Sequence, residues 1–90
     1  MNEKRNSKGK EFDGYDGQLI FEGEYLNGER NGKGKEYSLK GSLLFEVEYL
    51  NGKRFGKGKE YYEGKLIFEG EYIWMEKEIL IKYKSIKNGW

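Results

Sequence analysis

The chain repeats itself, and a repeat of this length leaves few folds open. Gln18 to Gly41 reads QLIFEGEYLNGERNGKGKEYSLKG, and Ser42 to Gly64 reads SLLFEVEYLNGKRFGKGKEYYEG. A third copy begins at Lys65 as KLIFEGEYIW and departs at Met75; upstream, NEKRNSKGKEF from Asn2 lines up with NGERNGKGKEY from Asn27. Successive copies are offset by 25, 24 and 23 residues because the linkers shorten. A period in the twenties marks a stacked array, in which each unit buries its apolar face only against its neighbours. The repeats fill residues 1–75, as a half repeat at 2–17, full repeats at 18–41 and 42–64, and a half repeat at 65–75. Residues 76–90 depart from the pattern and are expected to form a C-terminal cap or a frayed tail. Because the array opens in mid-repeat, its first half is expected to serve as an N-terminal cap or to mark a trimmed array.

Each unit has the makings of a β-hairpin. Phe21-Glu22-Gly23-Glu24-Tyr25 alternates with period two, aromatic or Gly on one side and Glu on the other. Lys33 to Tyr37 alternates again, and Asn27-Gly28 to Gly32 reads as a turn segment, since Asn and Gly tolerate positive φ. Placing Tyr25 opposite Gly32 sets Glu24 against Lys33, Gly23 against Gly34 and Glu22 against Lys35. The next unit likewise sets Glu48 against Lys57 and Glu46 against Lys59. Opposite charges across strands contribute ~0.2–1 kcal/mol per pair, and a one-residue slip turns every side chain over. Charge is therefore expected to fix the register, while Phe21, Tyr25, Phe45, Tyr49, Phe68 and Tyr72 line the other face.

A lone hairpin is marginal in water, so these must stack, with the glycines permitting close approach. The expected fold is all-β: an elongated single sheet or ribbon of stacked antiparallel β-hairpins. Tyr72 to Tyr83 is expected to close it as a tighter, atypical C-terminal hairpin. Val47 stands where the other copies carry a strand glycine, so Val47→Gly is expected to be tolerated or to pack better.

The string FEGEYLNGERNGKGKEY resembles the membrane occupation and recognition nexus (MORN) repeat. That pattern runs aromatic-Glu-Gly-Glu-aromatic, then a loop with Asn-Gly, then Gly-Lys-Gly before another aromatic. Phe21 to Tyr37 matches it at nearly every defining position, and Phe45 to Tyr61 departs only at Val47. Phe68 to Tyr72 matches the first strand alone, and Lys8 to Phe12 the second. The resemblance implies stacked hairpins in a ribbon that serves as a scaffold, through repeat-to-repeat or partner contacts. Some members are linked to phospholipid membranes.

Composition narrows the function classes. The chain has no Cys and no His, which removes disulfides, thiolate chemistry, the commonest general base near neutral pH and the commonest metal ligand. Leu, Ile, Val and Phe make up 20 of the 90 residues, so the core is thin but a net charge of only +1 argues against disorder. No catalysis, cofactor or metal is expected, and the longest apolar runs are far too short to span a bilayer. The chain reads as cytoplasmic, with a peripheral membrane location as the alternative. Residues 11–76 carry net −5 and the two ends, 1–10 and 77–90, net +3 each. With no basic stripe along the repeats, nucleic acid is disfavoured.

Three sharper readings lose to plainer ones. The pairs Glu22/Glu24, Glu46/Glu48 and Glu69/Glu71 sit two apart on a strand, near the spacing of glycosidase carboxylates, but an identical pair in every repeat serves cross-strand pairing. Gly28 to Gly34 lacks the spacing and the hydroxyl residue of a phosphate-binding loop. Asp13 to Gly17 falls far short of a calcium loop.

The aromatic stripe Phe21, Tyr25, Phe45, Tyr49, Phe68 and Tyr72 has binding potential, because exposed apolar patches mark interfaces; the plainer reading makes it the inter-repeat core. The expectation is a non-catalytic scaffold for a protein partner or self-association. The alternatives are a phosphoinositide-binding module that contacts anionic membrane through Lys4, Arg5, Lys82, Lys84 and Lys87, or the regulatory fragment of a larger enzyme.

Overall fold

Period-two alternation takes shape as seven strands: β1 (Ser7–Phe12), β2 (Leu19–Leu26), β3 (Glu29–Tyr37), β4 (Leu43–Leu50), β5 (Lys53–Tyr62), β6 (Lys65–Met75) and β7 (Ile79–Lys84). The computed structural model describes residues 7–75 and 79–84. The strands lie in chain order in one open antiparallel sheet, with no helix among the described residues. A single sheet of this kind measures 44 × 37 × 25 Å.

The turns follow from their residues. β2 and β3 are joined by Asn27 (φ 54°) and Gly28 (φ 83°), and β4 and β5 by Asn51 (φ 51°) and Gly52 (φ 85°). Two consecutive positive φ values make a primed two-residue turn, whose twist matches that of the flanking strands. The turn is therefore tighter than the expected Asn27–Gly32 segment, and β3 already begins at Glu29. The longer linker at Asp13–Gly17 is held by the Asp13 carboxylate, whose Oδ2 accepts the amides of Tyr15 and Asp16, both at 3.0 Å.

Two registers alternate along the sheet. Between units, Lys10 faces Glu22, Lys35 faces Glu46 and Lys59 faces Glu69. Within a unit the pairing begins as expected, with Glu22 opposite Lys35, Gly23 opposite Gly34 and Glu46 opposite Lys59. It then shifts: Tyr25 sits opposite Arg30 rather than Gly32, and Tyr49 opposite Arg54. The cause is a bulge on the returning strand at Gly32 (φ 103°) and Gly56 (φ 96°), positions that only glycine fills without strain. The expected pairs Glu24–Lys33 and Glu48–Lys57 are replaced by another contact. Glu24 Oε1 accepts the backbone amide of Lys33, and Glu48 Oε1 that of Lys57, both at 3.0 Å. Each glutamate thus satisfies a donor that the bulge takes out of the ladder.

β7 joins the sheet by pairing with the far end of β6, Tyr72 opposite Lys82 and Trp74 opposite Leu80. The core is small. Phe21, Val47, Tyr49 and Tyr72 are buried, and Tyr25, Phe45, Phe68 and Leu80 pack against them half-buried. Val47, 4% exposed, is a core residue. This placement argues against the expectation that glycine would serve as well there, because the valine Cγ2 fills the space over Gly58 that the Phe21 ring fills over Gly34.

Candidate interaction surface

The sheet has one aromatic face and one charged face. On the aromatic face, strand glycines let rings lie flat across the backbone: a Cβ on Gly34 would come within 2.6 Å of the Phe21 ring and 3.0 Å of the Tyr49 ring. Phe21 meets Tyr25 and Tyr49 edge-on, with centroids 5.7 and 5.4 Å apart, and Phe68 meets Tyr72 at 5.9 Å. Such pairs add about 0.5–1.5 kcal/mol beyond the area they bury. Guanidinium groups close the layer from outside, Arg30 4.0 Å above Phe21 and Arg54 4.0 Å above Phe45.

A clamp of tyrosine, glutamate and arginine recurs at each junction between units. Glu11 accepts a hydrogen bond from the Tyr25 hydroxyl at 2.5 Å and two from Arg30, at 2.9 and 2.8 Å. Glu36 accepts from the Tyr49 hydroxyl and from Arg54 Nε and Nη2 at 3.1 and 2.9 Å. Glu60 accepts from the Tyr72 hydroxyl, and Lys82 Nζ, at 2.9 Å, takes the arginine's place. Arg30 also lies 3.8 Å from Glu36, so one guanidinium ties two successive glutamates.

The electrostatics follow from these contacts. Arg30 holds Glu11 below its ordinary value against the opposing effect of burial. For Glu60, burial would raise the value, but the Tyr72 hydroxyl and Lys82 outweigh it and the net direction is down. Burial and the Glu11 carboxylate push Tyr25 up to about 12. Burial, then Glu36 and Glu60 respectively, push Tyr49 and Tyr72 higher still.

The clamp glutamates and arginines were not singled out by sequence reasoning. The available signal was a carboxylate, at Glu11, Glu36 and Glu60, standing on the otherwise aromatic side of the alternation.

The opposite face forms an open trough of about 1350 Å³. Lysine pairs on β1, β3 and β5 alternate across it with glutamate pairs on β2, β4 and β6. The paired glutamates have structural partners: Glu22 accepts from the Tyr37 hydroxyl and Glu46 from the Tyr61 hydroxyl, both at 2.7 Å. Those bonds raise both tyrosines, Tyr37 to about 12 through burial and then Glu22, and Tyr61 through Glu46 and then burial. Among the described residues no group of three or more acidic side chains is placed to hold a metal ion.

Of the sequence-derived binding stripe, the structure gathers all six rings on one face. Phe21, Tyr49 and Tyr72 are closed to solvent, and Tyr25, Phe45 and Phe68 are half-buried. Lys4, Arg5 and Lys87 lie outside the described residues. Lys82 is engaged with Glu60 and sits 4.8 Å above the Phe68 ring, and Lys84 is exposed on β7. No helix among the described residues is long and apolar enough to cross a membrane. Comparison of the chain with models of protein families, with curated proteins and with solved structures finds no match.

Proposed function

We propose that this chain is a non-catalytic, MORN-like repeat scaffold of the cytoplasm that works by contact with a protein partner or with itself. One observation carries the reading. The inter-unit ladder recurs in the same register at β1–β2, β3–β4 and β5–β6, and each junction is closed by a tyrosine–glutamate hydrogen bond with an arginine or, at the third, Lys82 beside it, so these side chains are spent on joining units. What the fold offers outward includes sheet edge, a charged face and exposed large apolar side chains such as Phe12, Tyr15, Tyr62 and Ile67, all means of association.

Light scattering across a wide concentration range, together with affinity capture, tests the proposal. A mass above one chain, or a partner recovered reproducibly and released by disrupting the sheet, supports it. A strictly constant monomer mass with no partner recovered counts against it. Co-sedimentation with phosphoinositide vesicles on the same sample, abolished by neutralising Lys84 and the basic termini, would put a membrane module in its place.

A further inference from the structure

The two ends of the sheet differ in how they finish. Each internal lysine strand is flanked on both sides by a glutamate strand: β3 by β2 and β4, β5 by β4 and β6. Lys35 faces Glu22 on one side and Glu46 on the other, and Lys59 faces Glu46 and Glu69. β1 repeats the lysine strand, with Lys8 opposite Glu24 and Lys10 opposite Glu22, but no described strand pairs with its other side.

The aromatic face is unfinished at the same place. Over Gly34 lie a ring from the strand before it, Phe21, and a ring from the strand after it, Tyr49. Over Gly58 lie Val47 and Tyr72 in the same sense. Over Gly9 the three nearest atoms all belong to the ring from the strand after, Tyr25. Gly9 is half-exposed where Gly34 and Gly58 are buried. The Glu11 side chain is 37% exposed where Glu36 is 16% and Glu60 15%.

We infer that the outer edge of β1 is a docking site for one extended strand of a protein partner, antiparallel, of the pattern aromatic-Glu-Gly-Glu-aromatic. The register is that found inside each hairpin. The leading aromatic of the partner sits opposite Glu11 and lays its ring over Gly9, as Phe21 sits opposite Glu36 and lies over Gly34. Its first glutamate faces Lys10, as Glu22 faces Lys35. Its second lies against Lys8, the bulge of Gly32 being absent from β1, where Ser7 stands at that position. Main-chain bonds to a sheet edge supply affinity, and alternate side chains supply specificity.

A second β1 does not fit this edge, since lysines would meet lysines, and like charges directly opposite are destabilising. Of the strands of this chain, β2 and β6 carry the full pattern, β4 having Val47 in place of the glycine; β2 is paired on both sides, and β6 pairs with β5 and, from Gly70 on, with β7. This inference rests on the scaffold reading and names the partner's chemistry.

The test titrates the full chain, labelled for amide NMR, with a peptide copying residues 17–28, GQLIFEGEYLNG. The expected result is saturable binding with shifts concentrated at Ser7–Phe12. A peptide with both glutamates changed to lysine should bind roughly tenfold more weakly or worse, since two attractive cross-strand contacts become repulsive. The Lys8→Glu/Lys10→Glu chain, checked for folding by its amide spectrum, should reverse that preference.

No binding to the folded chain, equal binding of both peptides, or shifts confined to β7 or to the trough strands other than β1 would overturn the assignment. So would β1 shifts that appear without peptide as the chain's own mass rises with concentration, because a second copy would then be the occupant. Light scattering on the peptide-free chain and partner capture separate the two levels. A silent peptide with clear self-association or capture removes the edge site and leaves the scaffold reading standing.

Discussion

Replacing Glu36 with alanine removes the acceptor shared by Tyr49 and Arg54 and a charge 3.8 Å from Arg30. Hydrogen bonds to a charged group contribute about 1.5–3 kcal/mol each when one partner is deleted. The full sum does not apply here, because the side chains of Arg54 and Arg30 are 31% and 25% exposed and recover part of their solvation. The low end for the Arg54 pair plus about 1 kcal/mol for the buried tyrosine hydroxyl gives a loss of about 3 kcal/mol. A domain of this size holds roughly 5–13 kcal/mol in all, so the loss is severe, about 12–24 °C in melting temperature.

Glu11→Ala is the internal control. It deletes the same kinds of bond at the edge of the sheet, where the carboxylate is 37% exposed, and should cost about half as much. Urea denaturation followed by far-UV circular dichroism and Trp fluorescence reads both variants. A double-mutant cycle of Glu36→Ala with Arg54→Ala should show a coupling of about 1–2 kcal/mol. Losses below about 0.5 kcal/mol for Glu36→Ala, or equal losses at the two sites, would refute the idea that the clamps hold the units together.

Three further outcomes follow from the same geometry. Val47→Gly should cost about 2–4 kcal/mol in chemical denaturation, from the buried side chain and the added backbone freedom of glycine; unchanged stability would contradict the placement of Val47 in the core. Gly34→Ala should destabilise by about 1–3 kcal/mol, because its Cβ would meet the Phe21 ring at 2.6 Å. Gly14→Ala, with nothing within 4 Å, should stay within about 0.5 kcal/mol in the same assay. Stability should also depend on pH at both ends. Glu11 and Glu60 are lowered in the folded chain from 4.5, so their contribution is present above that value and is lost as pH falls through the folded values. Tyr25 is raised from 10.0 to about 12, so its contribution is complete below pH 10.0 and is lost as pH rises through about 12. Thermal melts across the pH range check both windows, and a flat profile at either end would count against the contacts invoked there.

Much of the fold was legible because period-two alternation and a repeat in the twenties admit little else. Glu22, Gly23, Lys35 and Gly34 face one another as their charges and glycines suggest. The bulge was not legible, because lysine opposite glutamate satisfies the register within a hairpin and the one between hairpins equally well. What decides between them is the positive φ of Gly32, a backbone property that a glycine-rich loop only hints at. Val47 misled for a different reason. A glycine position suggests crowding, but the crowding over Gly34 comes from the Phe21 ring, and in the second unit the valine itself occupies the equivalent space. The clamps were hidden because Glu36 and Arg54 are 18 residues apart, and no local pattern ties an acid on one strand to a base two strands away.

Hydrogen exchange at the amides of Ser7–Phe12, read residue by residue at two protein concentrations, tests most directly the claim that this is an open sheet with a free docking edge at β1. The account predicts alternation: amides bonded to β2 are protected, and those pointing outward exchange fast until the aromatic-Glu-Gly-Glu-aromatic peptide is added. Uniform protection along β1 at both concentrations without peptide would mean the edge is already covered, and uniform fast exchange would mean that β1 is not part of the sheet; either contradicts the account.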